Sequence, residues 1–299
     1  MDRTYHTPVL LDEVLSFLQP RIGGTYVDGT VGGGGHAEAI LAAISGNGRL
    51  VGFDRDPDAL RAARERLERF GRSVDLVGRN FDAFSHRLRQ LNIDEVDGIL
   101  LDLGVSSHQL DDPGRGFSFQ QEGPLDMRMD TGIPGTIDGL RVVNTYAEED
   151  LKRIFREYGE ERHSGRIAWR IVTERAKRPV RTTAELAAVV KKAVGGRFIL
   201  KTLARIFQAI RIEVNDELGN LSRFFSSCLP VLAPGGRIVV ISYNSLEDRI
   251  VKYWMRDESK VKGTLTILTK KPLVPTQSEL DGNRRSRSAK LRAAERRPL

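Results

Sequence analysis

The sequence predicts an α/β fold, an open parallel sheet interrupted by an inserted all-helical subdomain. Two observations carry this reading. From residue 26 onward short apolar runs alternate with helical patterns, the signature of right-handed crossovers between parallel strands. After the fourth run the alternation stops for about 130 residues, where a crossover unit needs roughly 30.

Taken in order, Tyr26-Val27-Asp28 is the first strand and leads into a glycine cluster, with a helical pattern over residues 37–43. Arg49-Leu50-Val51-Gly52-Phe53-Asp54 is the second. Asp56-Pro57 then caps and opens a helix running to Phe70, with Asp at the N-cap and Pro in the first turn. Val74-Asp75-Leu76-Val77 is the third strand, and residues 97–103 (DGILLDL) are the fourth. The next strand, Arg237-Ile238-Val239-Val240-Ile241, follows Pro234-Gly235-Gly236. In the gap, residues 111–137 are rich in Gly, Pro and Asp and read as a long ordered loop. Helical patterns follow over 147–158, 166–176, 183–194 and 203–218. After the fifth strand come a helix over 246–255, a strand over 264–268 and a basic tail. The expected division is 1–110 for the first part of the sheet domain, 111–215 for the helical insertion and 216–299 for the second part with its tail.

Composition narrows the function. The single cysteine, Cys228, excludes an internal disulfide framework and multi-cysteine zinc modules. The five histidines form no pair at metal-ligand spacing, so no metal is expected. Asp12 and Glu13 interrupt the apolar stretch near the N-terminus, so it does not read as a signal peptide. No apolar run approaches the roughly 20 residues of a membrane span. A reduced, cytoplasmic protein is expected. The net charge of +7 favours a polyanionic partner.

Gly32-Gly33-Gly34-Gly35-His36-Ala37 lies between a strand and a helix, where glycines let the backbone turn tightly and approach a ligand. Alone, Gly32-x-Gly34-x-x-Ala37 also satisfies the dinucleotide fingerprint, which keeps a nicotinamide cofactor in view. Asp28 shifts the balance, because a carboxylate at that strand end repels a pyrophosphate. S-adenosylmethionine has no phosphate and carries a sulfonium and an ammonium that an acid favours. Asp54 ends the second strand, 19 residues after Gly35, the usual place for an acid that accepts from ribose hydroxyls. It supports a nucleoside ligand without choosing between the two cofactors. Asp102 ends the fourth strand, so all three acids are expected at the carboxyl end of the sheet, where ligands bind.

These residues resemble a known family. Asp28-Gly29-Thr30-Val31-Gly32-Gly33-Gly34-Gly35-His36, Asp54-Arg55-Asp56, residues 97–109 (DGILLDLGVSSHQ), Arg115-Gly116-Phe117-Ser118-Phe119 and residues 124–130 (PLDMRMD) carry the likeness. So do Phe207-Gln208-Ala209-Ile210-Arg211-Ile212, residues 245–250 (SLEDRI) and residues 287–292 (RSAKLR), with His6-Thr7-Pro8-Val9-Leu10 at the start. The chain resembles the RsmH (MraW) family of S-adenosylmethionine-dependent methyltransferases, which act on N4 of a cytidine in the decoding region of 16S ribosomal RNA. The resemblance implies a Rossmann-like class I methyltransferase domain with an inserted helical substrate-recognition domain. It also implies cofactor contacts at Gly34, Gly35, His36, Asp54, Phe81, Asp102 and Gln109. From the residues alone, Phe81 reads as an ordinary core aromatic; the resemblance makes it a neighbour of the adenine ring. The chain departs from the family in carrying Asn244 where most members have a histidine, and Lys201-Thr202-Leu203-Ala204 where many have His-Pro-Ala-Thr.

The chemistry the resemblance implies needs an acceptor on the exocyclic amine, and Asp102 is the candidate. Asn244, after the fifth strand, is expected to orient the amine through its carbonyl oxygen, since an amide cannot take a proton. The target base must leave its stack to react. Two features are candidates for contact with RNA. One is a polar stripe at Arg205, Gln208, Arg211 and Asn215 on the 203–218 helix. The other is the tail 284–297, with seven basic residues against one acid. Two further functions stay open at this point, an RNA- and cofactor-binding ribosome-assembly factor without turnover and a nicotinamide-dependent oxidoreductase. The sequence specifies no oligomer.

Overall fold

The computed structural model describes residues 8–45, 47–130 and 136–298; His6 and Thr7 of the first motif, and residues 131–135 of the loop, lie outside them. In chain order the first stretch contains α1 (Leu11–Leu18), β1 (Thr25–Asp28), α2 (Gly35–Ala43), β2 (Arg49–Asp54), α3 (Pro57–Leu67), β3 (Val74–Gly78), α4 (Phe84–Gln90) and β4 (Val96–Asp102). The insertion follows, with α5 (Ser107–Asp111), α6 (Gly139–Thr145), α7 (Glu148–Glu157), α8 (Ser164–Arg175), α9 (Thr183–Ala193) and α10 (Ile199–Asn215). The chain then forms α11 (Glu217–Cys228), β5 (Leu232–Ser242), α12 (Ser245–Lys260), β6 (Leu265–Ile267), α13 (Gln277–Gly282) and β7 (Lys290–Arg296). Two compact units result, Met1–Gly104 with Leu218–Leu299, and Val105–Glu217.

The first unit is a Rossmann-like α/β sandwich. Its sheet runs β3-β2-β1-β4-β5-β7-β6. The first five strands are parallel, and β7 runs against both its neighbours. Strands covered on both faces must be apolar throughout, and side-chain alternation sorts them. Val27, Val51, Phe53, Ile99, Leu101, Ile238 and Val240 pack on one face with Phe84 and Leu88 of α4, Leu221 and Phe224 of α11, and Val251 and Met255 of α12. Tyr26, Leu50, Leu100, Val239 and Ile241 pack on the other with Val14 of α1, Ile40 and Leu41 of α2, and Leu60 and Ala63 of α3. As expected, Asp56 caps α3, accepting from the Asp58 N–H, with Pro57 in the first turn.

The basic tail is not an arm. Residues 290–296 form β7, inserted between β5 and β6, with Arg237 opposite Glu295 through to Ser242 opposite Lys290. Leu291, Ala293 and Ala294 are buried, and Arg292 is buried with them because its guanidinium donates to Asp248 of α12 at 2.7 Å. The small apolar residues between the charges are the strand signal that net basicity conceals.

The second unit is helical around one core, which includes Val142, Leu151, Ile154, Phe155, Ile167, Ile171, Leu186, Val190, Ile206 and Phe207. The helix expected over 203–218 is two helices. Asp216 takes the left-handed conformation (φ 48°) and ends α10 before α11 begins. Its polar stripe is engaged within the chain, from exposed Arg205 to buried Asn215. Asn215 is buried, donates to Met127 O at 2.7 Å and accepts from Met129 N at 2.8 Å, pinning the long loop. Gln208 donates to Tyr158 O, and Arg211 holds Glu217 through two bonds of 2.8 and 2.9 Å. Arg205 faces Glu161 at 3.4 Å. All four residues expected to face RNA therefore make intramolecular bonds, Asn215 and Gln208 to backbone groups and Arg211 and Arg205 to carboxylates.

Candidate active site

The site is built at the carboxyl ends of β1, β2, β4 and β5, where a parallel sheet opens a crevice. Asp28 sits opposite Leu100 of β4 and Gly52 of β2, and Asp102 opposite Ile241 of β5. Asp28, Asp54 and Asp102 thus end three adjacent strands, and Tyr243 follows the end of the fourth.

Asp28 is 1% exposed. One carboxylate oxygen accepts from the Thr30 N–H at 3.1 Å; the other, Oδ2, is buried without a hydrogen-bond partner. Burial pushes its pKa up to about 7, against the opposing Thr30 N–H, and the charges of Asp102 and Asp54 raise it further. Asp54 accepts from the Gly32 N–H through Oδ2 and the Asp56 N–H through Oδ1, both at 2.9 Å. Burial lifts its pKa to about 6 despite those N–H donors. No Lys or Arg pairs with any of the three acids among the described residues. An uncompensated cluster of carboxylates of this kind is stabilised by a cation.

Asp102 is held from two sides. The Tyr243 hydroxyl donates to Oδ1 at 2.9 Å, and His36 Nδ1 lies 3.7 Å from Oδ2. Burial raises the Asp102 pKa, while His36 and the Tyr243 bond work against the rise. Burial and the neighbouring Asp102 charge push the Tyr243 pKa well up, so the phenol stays protonated and remains a donor. His36 Nε2 lies 3.0 Å from Val9 O. A carbonyl only accepts, so Nε2 is the donor of that bond and Nδ1 is the ring atom that faces Asp102. The Asp102 backbone N–H donates to Thr30 Oγ1, joining the glycine turn to β4.

The glycine turn has mechanical causes. Gly34 adopts φ +82°, and a Cβ there would lie 3.3 Å from Leu67 of α3. A Cβ on Gly35 would come within 2.6 Å of Pro8. Glycine at both positions lets α2 pack closely, which sets the turn at the mouth of the crevice. Gly32 directs its N–H to Asp54, so this amide is not offered to a phosphate.

Phe81 follows β3, is half-buried and meets Phe224 edge-on at 5.7 Å. A Cβ on Gly29 would lie 3.1 Å from the Phe81 Cβ, which puts the ring's root beside the end of β1. Gln109 belongs to the second unit. There it closes a capping box on α5, its side-chain oxygen accepting from the Ser106 N–H at 2.9 Å. Asn244 differs most from its expected role. It is the N-cap of α12, and its Oδ1 accepts from the N–H groups of Leu246 and Glu247, each at 3.0 Å. Its carbonyl oxygen is committed to the helix. Reading the sequence missed Thr30 and Tyr243; an aromatic with a hydroxyl directly after a buried strand was the available signal for the second. Among the described residues no group of His, Cys, Asp and Glu is placed to hold a metal, and no helix is long and apolar enough to cross a membrane.

The chain is similar over nearly its full length to proteins called ribosomal RNA small subunit methyltransferase H. That of Carboxydothermus hydrogenoformans is 49% identical, covering 97% of each chain. That of Geobacter sulfurreducens is 50% identical, covering 97% of this chain and 98% of the relative. The family model described as the MraW methylase family matches residues 3–297. With the glycine turn, the three strand-end acids and the helical insertion in place, the chain belongs to the MraW methylase family.

Proposed function

We propose that the protein transfers the methyl group of S-adenosylmethionine to the N4 amine of a cytidine in the decoding region of 16S ribosomal RNA, within the small ribosomal subunit. The observation that carries the cofactor is the buried Oδ2 of Asp28, without a hydrogen-bond partner, among three carboxylates that no Lys or Arg pairs with among the described residues. That site suits the ammonium and sulfonium of S-adenosylmethionine and disfavours the pyrophosphate of a nicotinamide dinucleotide. The rRNA substrate rests on the relatives.

In this reading Asp28 faces the cationic part of the cofactor. Asp54, held in place by backbone N–H groups, would accept from the ribose hydroxyls. Phe81 would flank the adenine, and the turn at Gly34, Gly35 and His36 would form the wall. When bound, the cofactor supplies a methyl group on a cationic sulfur. Asp102 accepts from the target N–H through Oδ2, drawing the delocalised lone pair back to nitrogen as the bond forms. Tyr243 holds that carboxylate in place through Oδ1. Asn244 positions β5 against α12 by its cap. In this reading the amide serves as a cap where most of the family carries an imidazole, which supports an enzyme over a binder without turnover.

The test incubates radiolabelled S-adenosylmethionine with small subunits lacking the modification, digests the RNA to nucleosides and identifies the product by mass spectrometry. N4-methylcytidine is the expected product. Tight cofactor binding with no methyl group in the RNA would return the assembly-factor reading, and a different methylated nucleoside would overturn the N4 assignment.

A further inference from the structure

From the charge pattern of α12 we infer that its outer face is a track for the RNA strand adjoining the target nucleotide, with Lys252, Arg256 and Lys260 on consecutive phosphates. The inference rests on RNA being the substrate, and it concerns where the strand lies. The inner face of α12 is fixed by Val251 and Met255 in the core and by Trp254, which stacks on Phe225 at 4.3 Å. Its four acids are all engaged. Glu247 accepts from the N–H groups of Tyr243 and Asn244, and Asp248 is held by Arg292. Asp257 and Glu258 face Lys262 at 3.5 and 2.7 Å. The cations differ. Lys252, Arg256 and Lys260 are exposed, and none has a carboxylate partner among the described residues.

The spacing matches the ligand. Steps of four residues along a helix rise about 6 Å, comparable to the step between phosphates of an extended single strand. Ser245, Arg249, Lys252, Tyr253, Arg256 and Lys260 lie on one side at intervals of three and four residues. The stripe therefore begins at the Asn244 cap, beside the Tyr243–Asp102 pair, and runs outward. Tyr253 is 48% exposed, with the Arg256 guanidinium 4.8 Å from its ring centre and Lys252 Nζ at 5.9 Å. The ring props both cations outward at the middle of the track.

The triple variant K252Q/R256Q/K260Q keeps helix-forming side chains and removes the charge; K252R/R256K/K260R keeps the charge and changes the shape. Binding of each to a fluorescent 16S rRNA transcript is measured across a salt series. Cofactor affinity is measured by calorimetry and folding by thermal melting. Loss of three phosphate contacts flattens the slope of log K against log salt by about 2. We expect the Gln variant to bind RNA on the order of 10- to 100-fold more weakly at low salt, with cofactor affinity and melting unchanged, and the charge-preserving variant to match the wild type. An unchanged affinity and salt slope in the Gln variant would overturn the track. A loss seen on assembled subunits but not on transcript would assign the face to a protein contact, and a loss confined to anionic vesicles would assign it to a membrane; either outcome overturns the proposal. A wild-type protein that binds neither transcript nor subunits would overturn the RNA reading itself.

Discussion

Asp54 and Asp102 end β2 and β4, the strands on either side of β1, yet their surroundings assign them different work. Asp54 accepts from the backbone N–H groups of Gly32 and Asp56, and that of Arg55 also favours its charged form, so it is held rigidly. Asp54→Ala should weaken S-adenosylmethionine binding by about 1.5–3 kcal/mol, the range for hydrogen bonds to a charged group. Calorimetry checks this, and an unchanged affinity would remove Asp54 from the site. Asp102 has Tyr243 on one oxygen and, among the described residues, His36 at 3.7 Å from the other. Asp102→Asn should lower methyl transfer at saturating cofactor by about 100- to 1,000-fold, by analogy with the loss of a preorganised transition-state group. Tyr243→Phe should leave the acceptor in place while removing a donor that favours its charged form, so the acid limb of the pH–rate profile should move to higher pH. A profile that keeps its position while the rate falls would make Tyr243 a packing residue only.

At the scale of elements, α12 and β7 depend on single polar contacts that the apolar pattern does not reveal. The Asn244 side chain satisfies two first-turn N–H groups, and Glu247 reaches back to the Asn244 N–H, a reciprocal box. Asn244→Ala should therefore lower stability by about 1 kcal/mol, within the usual 0.5–2 for a lost cap. Cofactor affinity should change little, because Asn244 is assigned to no cofactor contact. Chemical denaturation measures the first effect and calorimetry the second. A large loss of methyl transfer with full stability would restore Asn244 to a role at the reacting amine. Reading the sequence located β1 to β5 and helices α7 to α9 because parallel strands are continuous apolar runs and amphipathic helices repeat every three to four residues. It missed β7, whose apolar residues are small and set among arginines. It also joined α10 to α11, since nothing in the local pattern shows that Asp216 turns left-handed.

For the whole molecule, the buried acids link folding, ligand and pH. Asp28 and Asp54 have folded pKa values of about 7 and about 6, against an ordinary 3.8. An acid whose pKa is raised on folding binds its proton more tightly in the folded state. Its contribution to stability is therefore complete below about pH 4 and is lost as pH rises through about 6 to 7. Ligand-free protein should thus lose melting temperature across that window more steeply than Asp28→Asn, which has no such proton to release. S-adenosylmethionine, being cationic, should bind more tightly as Asp28 ionises, with affinity falling roughly tenfold per pH unit below the Asp28 pKa. Melting curves with and without the cofactor across this pH range test both statements. Parallel pH slopes for wild type and Asp28→Asn would show that Asp28 is not the group concerned.

The sequence alone determined the order of the strands along the chain, the glycine turn, the three strand-end acids and the presence of an insertion. Each of these is written locally, in an apolar run ended by Asp, in a glycine cluster, or in a length no crossover requires. Tertiary structure alone decided which polar residues face inward. Asn215 and Arg292 read as exposed from their own neighbours in sequence, and they are buried because Met127 and Asp248, distant in the chain, supply their partners. The same holds for Tyr243 on Asp102, 141 positions apart. A hydrogen bond between distant residues leaves no periodicity in either segment, and so only the folded chain could show which of its charges remain outside for a partner.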